Sequence, residues 1–81
     1  MSFVAEQARK KALCARLARI EGQLRGLQKL IDADADAEKT AQQMAAARKA
    51  LDKAFFAMLS DLIAEGKASA DEVATLLLRF A

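Results

Sequence analysis

The chain has 81 residues with no proline, three glycines, 54% apolar and 5% aromatic residues, a composition typical of one small all-helical domain. One cysteine and no histidine exclude a disulfide framework within the chain. No apolar run approaches the ~18 residues of a membrane span. The basic first dozen residues lack the apolar segment and cleavage site of a signal peptide, so we expect a cytoplasmic protein without a membrane partner.

The formal net charge is +2, but the charge is unevenly distributed. Residues 1–30 carry seven Lys/Arg against two Asp/Glu, whereas residues 31–81 carry six against nine. The basic half indicates an anionic partner, although such a charge run is also typical of an ordinary solvated face. In an oligomer this basic surface is multiplied.

A first helix is predicted from about Val4 to Ala33, with residues 1–3 outside it. Its apolar residues recur at steps of four and three, which places them on one side of a helix and also matches a coiled-coil seam. This stripe contains Leu13, Leu17, Ile20, Leu24, Leu27 and Ile31. Gly22 and Gly26 lie toward the opposite, charged side, where each costs roughly 1 kcal/mol relative to alanine. We therefore expect another molecule to approach the helix backbone there.

The acidic run that follows predicts a turn, with Asp34 or Asp36 as the N-cap of a second helix from about Ala37 to Glu65. The run lacks the glycine and the bidentate glutamate that a calcium loop requires, so we interpret it as a linker. The predicted inner stripe of the second helix contains Met44, Ala47, Leu51, Ala54, Phe55, Met58 and Leu62.

Gly66 predicts the end of the second helix, and Ser69 with Glu72 matches a capping box that begins a short third helix. One face of the third helix contains Val73, Leu76, Leu77 and Phe80. Three such helices cannot enclose their own apolar surface, and we expect Phe55, Phe56, Leu59 and the Leu/Phe face of the third helix to lack partners within one chain. The sequence therefore predicts an all-α protomer, with two long antiparallel helices and a short third, that forms a dimer or a dimer of dimers.

Two segments are unusual enough to suggest a family. Residues 16–27 read RLARIEGQLRGL, and residues 43–51 read QMAAARKAL. Over residues 13–66 the chain resembles the CsoR/RcnR/FrmR type of small bacterial metal- and aldehyde-responsive repressors. The resemblance implies an all-helical dimer that assembles into a flat tetramer, binds operator DNA without a helix-turn-helix and releases it when an effector binds.

The chain departs from this family at the sensing site. The family places a cysteine at the start of the second helix and a His or Cys pair near its end, and the matching positions are Ala37, Leu62 and Gly66. None of these can coordinate copper, nickel or zinc, which require thiolate or imidazole ligands. The aldehyde-sensing branch also needs an N-terminal proline, where this chain has Ser2. We therefore expect no metal, no cofactor and a sensing site refilled by core residues.

Cys14 is the only thiol, and it lies beside the apolar stripe of the first helix. A small hydrophobic contact explains it. A redox role stays open, because Arg9, Lys10 and Lys11 are nearby and can favour the thiolate. The sequence contains no constellation of nucleophile, base and acid with catalytic logic, so we predict that the protein is not an enzyme.

Double-stranded operator DNA is the partner that the resemblance implies. Arg16 and Lys53 match family positions that contact DNA. Supporting candidates chosen for charge and helical placement are Arg9, Arg19, Arg48 and Lys49. Three classes of function remain open: a repressor that responds to an unknown effector or to none, an interaction or hetero-oligomer module that has lost sensing and regulated DNA binding, and an unrelated helical assembly protein.

Overall fold

The computed structural model describes residues 3–81, which form three α-helices joined by short turns. Helix α1 spans Phe3–Asp32, α2 spans Ala37–Ala64 and α3 spans Ala70–Phe80. The prediction of an all-α three-helix protomer is confirmed.

The helix ends lie within one residue of their predicted positions. The expectation that Phe3 lies outside the first helix is wrong: no glycine or proline near it interrupts the backbone hydrogen bonds, and α1 begins there. Met1 and Ser2, which were also expected outside the helix, lie outside the described residues.

The turn between α1 and α2 is held by local hydrogen bonds. Asp34 adopts a left-handed backbone conformation with φ of 53°, which reverses the chain. Asp36, one of the two predicted caps, is the N-cap of α2, and its side chain accepts a hydrogen bond from the backbone N–H of Lys39 at 3.0 Å. The turn is therefore defined by aspartates that suit left-handed and capping positions.

The other two predicted helix signals are also confirmed. Gly66 has φ of 69°, and its N–H donates to the carbonyl of Ile63 at 3.0 Å, which ends α2. Ser69 and Glu72 form the reciprocal capping box, with hydrogen bonds of 3.1 and 3.2 Å. Together they fix where α3 leaves the long hairpin.

Helices α1 and α2 pack along their length through a narrow seam. The side of α2 within this seam is made largely of small residues at steps of three and four: Thr40, Gln43, Ala47, Ala50, Ala54, Ala57 and Asp61. Helix α1 contributes Ile20 and Leu27 to the seam, and these are its buried residues within the described chain. Alanines let the helix axes approach closely but bury little apolar surface.

Large apolar residues beside this seam remain uncovered in the protomer. Six of them, all 38–55% exposed, are Leu17, Leu24 and Ile31 of α1 and Met44, Leu51 and Met58 of α2. Leu17, Leu51 and Met58 line one depression of about 520 Å³, and Ile31 and Met44 line another near the turn. We call these six residues the apolar face. The predicted stripes of α1 and α2 are thus only partly core.

Helix α3 packs against α2 and covers part of its remaining surface. Val73 of α3 and Leu59 of α2 are buried, so the expectation that Leu59 lacks a partner is wrong. Phe55 is half-buried, while Phe80 is 64% exposed and borders the larger depression of the apolar face. The third helix therefore extends the uncovered apolar surface as well as covering part of it.

The Cα atoms of the described residues extend over 48 × 29 × 12 Å. Within the described residues α1 and α3 each pack against α2 and not against each other, so the three helices lie side by side in a thin layer. Both sides of the layer are consequently exposed, and residues of α1 and α2 lie on each side.

Candidate nucleic-acid interface

A groove runs between α1 and α2 on the side of the layer away from the apolar face. Its volume is about 660 Å³. It is lined by Arg16, Arg19, Ile20, Gln23, Ala46, Lys49, Ala50 and Lys53. We call it the basic groove. Its walls carry four cationic side chains, and its floor includes the buried Ile20.

Helical geometry explains why this groove and the apolar face are on opposite sides. Residues two apart on an α-helix point about 200° apart. Leu17 and Arg19 have this spacing on α1, and Leu51 and Lys53 have it on α2. One member of each pair belongs to the apolar face and the other lines the basic groove. Each helix therefore contributes to two chemically different surfaces.

The four cations of the groove have no carboxylate partners. Within residues 3–81 the only ion pairs join Lys67 to Glu6 and to Glu65, far along the chain from the groove. Like charges gathered without counter-charges produce a positive potential that attracts an anionic ligand. The groove is thus an electrostatically favourable site for phosphate groups.

Arg9 lies next to this groove but in a different setting. It shares a small depression with Arg16 and with the carboxylate-bearing Asp61. The Nη1 atom of Arg9 is buried and has no hydrogen-bond partner within residues 3–81. Arg9 is half-buried, so it presents less of its charge to solvent than the groove cations Arg19, Lys49 and Lys53 do.

Arg48 is exposed but does not line the groove. It precedes Lys49 by one residue, which turns its side chain about 100° away around α2. The structure therefore brings together four of the six residues predicted to bind DNA, places Arg9 at the margin and leaves Arg48 outside. Gln23 and Ala46 also line the groove and were not predicted; the seven-residue spacing of Gln23 from Arg16 is the signal that could have identified it.

The degenerate sensing positions do not form a site in the protomer. Ala37 begins α2, Leu62 lies near its other end, about 38 Å away at 1.5 Å per residue, and Gly66 follows the helix. Ala37 and Gly66 are exposed and Leu62 is half-buried. The expectation that Ala37 is refilled as core is wrong for a single chain, because the turn leaves the start of α2 uncovered.

No cluster of potential metal ligands occurs among the side chains that the structure describes. Cys14 is exposed on α1, so the flank contact proposed for it is not made within one protomer. No helix in residues 3–81 has the length and hydropathy needed to cross a bilayer.

The described residues form a thin all-helical layer with an uncovered apolar face on one side and a basic groove on the other. The model of the metal-sensitive transcriptional repressors matches residues 9–78, and the chain belongs to this family. No match was found among curated proteins or among solved structures. The resemblance noted in the two sequence segments is thereby confirmed.

Proposed function

We propose that the chain is a DNA-binding transcriptional repressor that binds duplex operator DNA through the basic groove and has lost the metal- and thiol-based sensing of its family. One observation carries this proposal: Arg16, Arg19, Lys49 and Lys53 line one groove with no ion-pair partner. Membership of a transcriptional repressor family supports operator DNA as the anionic ligand. The compartment that follows is the bacterial cytoplasm.

Binding is mainly phosphate neutralisation. Log affinity then falls against log salt with a slope of about −0.9 for each phosphate contacted. The groove offers two arginines and two lysines, of which the arginine guanidinium groups can bind a phosphate in bidentate fashion. Sequence preference comes mostly from the shape and deformability of the duplex, because Gly22 and Gly26 leave no long side chain for reading bases on that part of α1.

Assembly is part of the same proposal. The apolar face is suited to burial against a second copy, since six large apolar side chains at 38–55% exposure form a patch that a free protomer leaves in water. When the apolar faces of two copies meet, both basic grooves stay at the surface. The exposed residues of α3, among them Leu78, then remain available for pairing of dimers.

The absence of metal sensing rests on side-chain chemistry. Methyl, isobutyl and hydrogen groups at Ala37, Leu62 and Gly66 provide no lone pair for a metal and no nucleophile for an aldehyde. Any signal must act elsewhere, or the protein represses without one.

The test compares Arg16→Ala and Lys53→Ala with Lys11→Ala, a control that removes an exposed cation outside the groove. Binding to a fluorescent fragment of the DNA upstream of the chain's own gene is measured by anisotropy across a salt series. Each groove variant is expected to weaken binding several-fold and to reduce the salt slope by about 1, while the control keeps both.

The proposal is overturned if the wild-type protein fails to bind this DNA at low salt. It is also overturned if both groove variants bind with wild-type affinity. A module that acts by contacting other proteins, or by joining a related repressor in a mixed oligomer, then accounts better for the retained fold.

A further inference from the structure

We infer that the DNA backbone leaves the basic groove along α1 and lies across Gly22 and Gly26, where the missing side chains let a sugar–phosphate strand approach the helix. This inference rests on the proposed function and deepens it, because it names the surface that the strand follows. Its starting point is the unpaired cationic groove, which determines where a phosphate strand is attracted.

The path follows from helical spacing. Gly22 and Gly26 lie three and seven residues after Arg19, so all three are on the same side of α1. Lys29 lies three residues after Gly26 and continues the same side, exposed and without an ion pair. A strand that passes from Arg19 to Lys29 therefore meets a cation, two glycines and a second cation.

The length of this path suits several phosphates. Ten residues of α-helix extend about 15 Å. One strand of B-DNA carries a charge every ~3.4 Å along the duplex axis and its phosphates are farther apart along the strand, so this distance covers at most about four phosphates. The two cations at its ends can bind phosphates while the glycines between them allow close van der Waals approach.

Packing within the protomer does not explain the glycines. A Cβ added at Gly22 or Gly26 meets no atom within 4 Å, and both residues are within a continuous helix. Glycine in a helix interior is less favourable than alanine. The positions thus sacrifice helix stability without any benefit inside the chain, which is consistent with contact to another molecule.

The inference predicts opposite changes in thermal stability and in DNA affinity for one substitution. Gly26→Ala is expected to raise the thermal midpoint, because alanine favours the helix, and yet to weaken DNA binding several-fold. Gly26→Leu adds more bulk and is expected to weaken binding tenfold or more, with helicity and oligomer mass unchanged.

Cys14→Leu is the matched control, since it adds bulk at an exposed position of α1 about 120° around the helix from Gly26. It should bind as the wild type does. The probe is the fluorescent upstream fragment, and sedimentation equilibrium reports the mass of each variant.

Wild-type affinity in Gly26→Leu, with Arg16→Ala and Lys53→Ala still impaired, overturns this inference and leaves the proposed function intact. A changed oligomer mass in Gly26→Leu also overturns it, because the glycines then contact protein. No DNA binding by the wild type removes both proposals.

Discussion

The apolar face and the basic groove are made from residues that are close neighbours in the chain. Leu17 and Arg19, and likewise Leu51 and Lys53, are separated by a single residue, yet they serve opposite sides of one layer. In a thicker domain these tasks fall to different elements. Here residues of α1 and α2 form both surfaces.

Breaking the apolar face should have the largest effect. Leu51→Glu places a charge at a position that is 53% exposed in one protomer and that the proposed dimer buries. Burial of an unpaired carboxylate is strongly unfavourable, so we expect the assembly to dissociate toward the 8.8 kDa chain or to unfold, and DNA binding to be lost. Sedimentation equilibrium and circular dichroism provide the measurements.

Ser60→Glu is the control for this experiment, because it adds the same charge at an exposed polar position of α2. Its mass and helicity should match those of the wild type. A folded, wild-type-sized assembly in Leu51→Glu shows that the apolar face is not the interface.

A smaller effect should separate two adjacent cations. Lys49 lines the basic groove and Arg48 does not, although only one peptide bond lies between them. Lys49→Ala is expected to weaken DNA binding several-fold and reduce the salt slope by about 1, whereas Arg48→Ala changes affinity by less than half as much on a logarithmic scale. Anisotropy titrations at several salt concentrations measure both. Equal losses in the two variants contradict the assignment of the groove.

An ion pair at the open end of the hairpin belongs to neither face and should have a smaller effect still. The hydrogen bond and charge of Lys67 lower the pKa of Glu6 below its usual value of 4.5, and Glu6 in turn raises the pKa of Lys67. When the pKa of a carboxyl group is lower in the folded than in the unfolded state, its charge stabilises the fold at pH values above the unfolded-state pKa. This stabilisation is lost as the pH falls through the folded-state pKa.

Glu6→Gln should therefore lower the thermal midpoint slightly at pH 7 and low salt, with DNA affinity unchanged. The difference should shrink as the pH falls through the lowered pKa of Glu6 and the carboxylate becomes protonated, and it should also shrink in about 1 M salt, where exposed charges are screened. A midpoint difference that persists in high salt shows that Glu6 acts through packing. Thermal denaturation followed by circular dichroism measures the effect.

No effect at all is expected from the signals that the family name suggests. Copper(I), nickel, cobalt, zinc and modest doses of formaldehyde should leave DNA affinity unchanged, because Ala37, Leu62 and Gly66 offer no ligand or nucleophile. Equilibrium dialysis against each ion, followed by metal analysis, is the measurement. Stoichiometric binding that survives a chelator contradicts this expectation.

The helices and their ends could be predicted well from the sequence, since their signals are local. Gly66 in a left-handed conformation and the Ser69–Glu72 capping box depend on a few adjacent residues. It was harder to predict which residues of the apolar stripe are buried and which are exposed. A spacing of three and four shows that Leu17 and Ile20 share one side of α1, but only the position of α2 decides that Ile20 is buried and Leu17 exposed.

The candidate site likewise depends on how α2 packs against α1. Composition indicated a basic first half, but the groove combines Arg16 and Arg19 with Lys49 and Lys53 from the more acidic second half. Charge alone did not distinguish Arg48 from Lys49, because their separation depends on the angle at which α2 meets α1. Tertiary geometry supplied that angle.

The alanine seam between α1 and α2 has a consequence for how the gene must be expressed. A seam with so little apolar volume gives a solitary hairpin little to offset its conformational entropy, so we expect folding to be coupled to the proposed self-association. At low copy number we then expect most chains to be unfolded and open to proteases, and a modest rise in synthesis to yield folded assemblies. Repression should then depend steeply on gene dosage, even with no small molecule to trigger it.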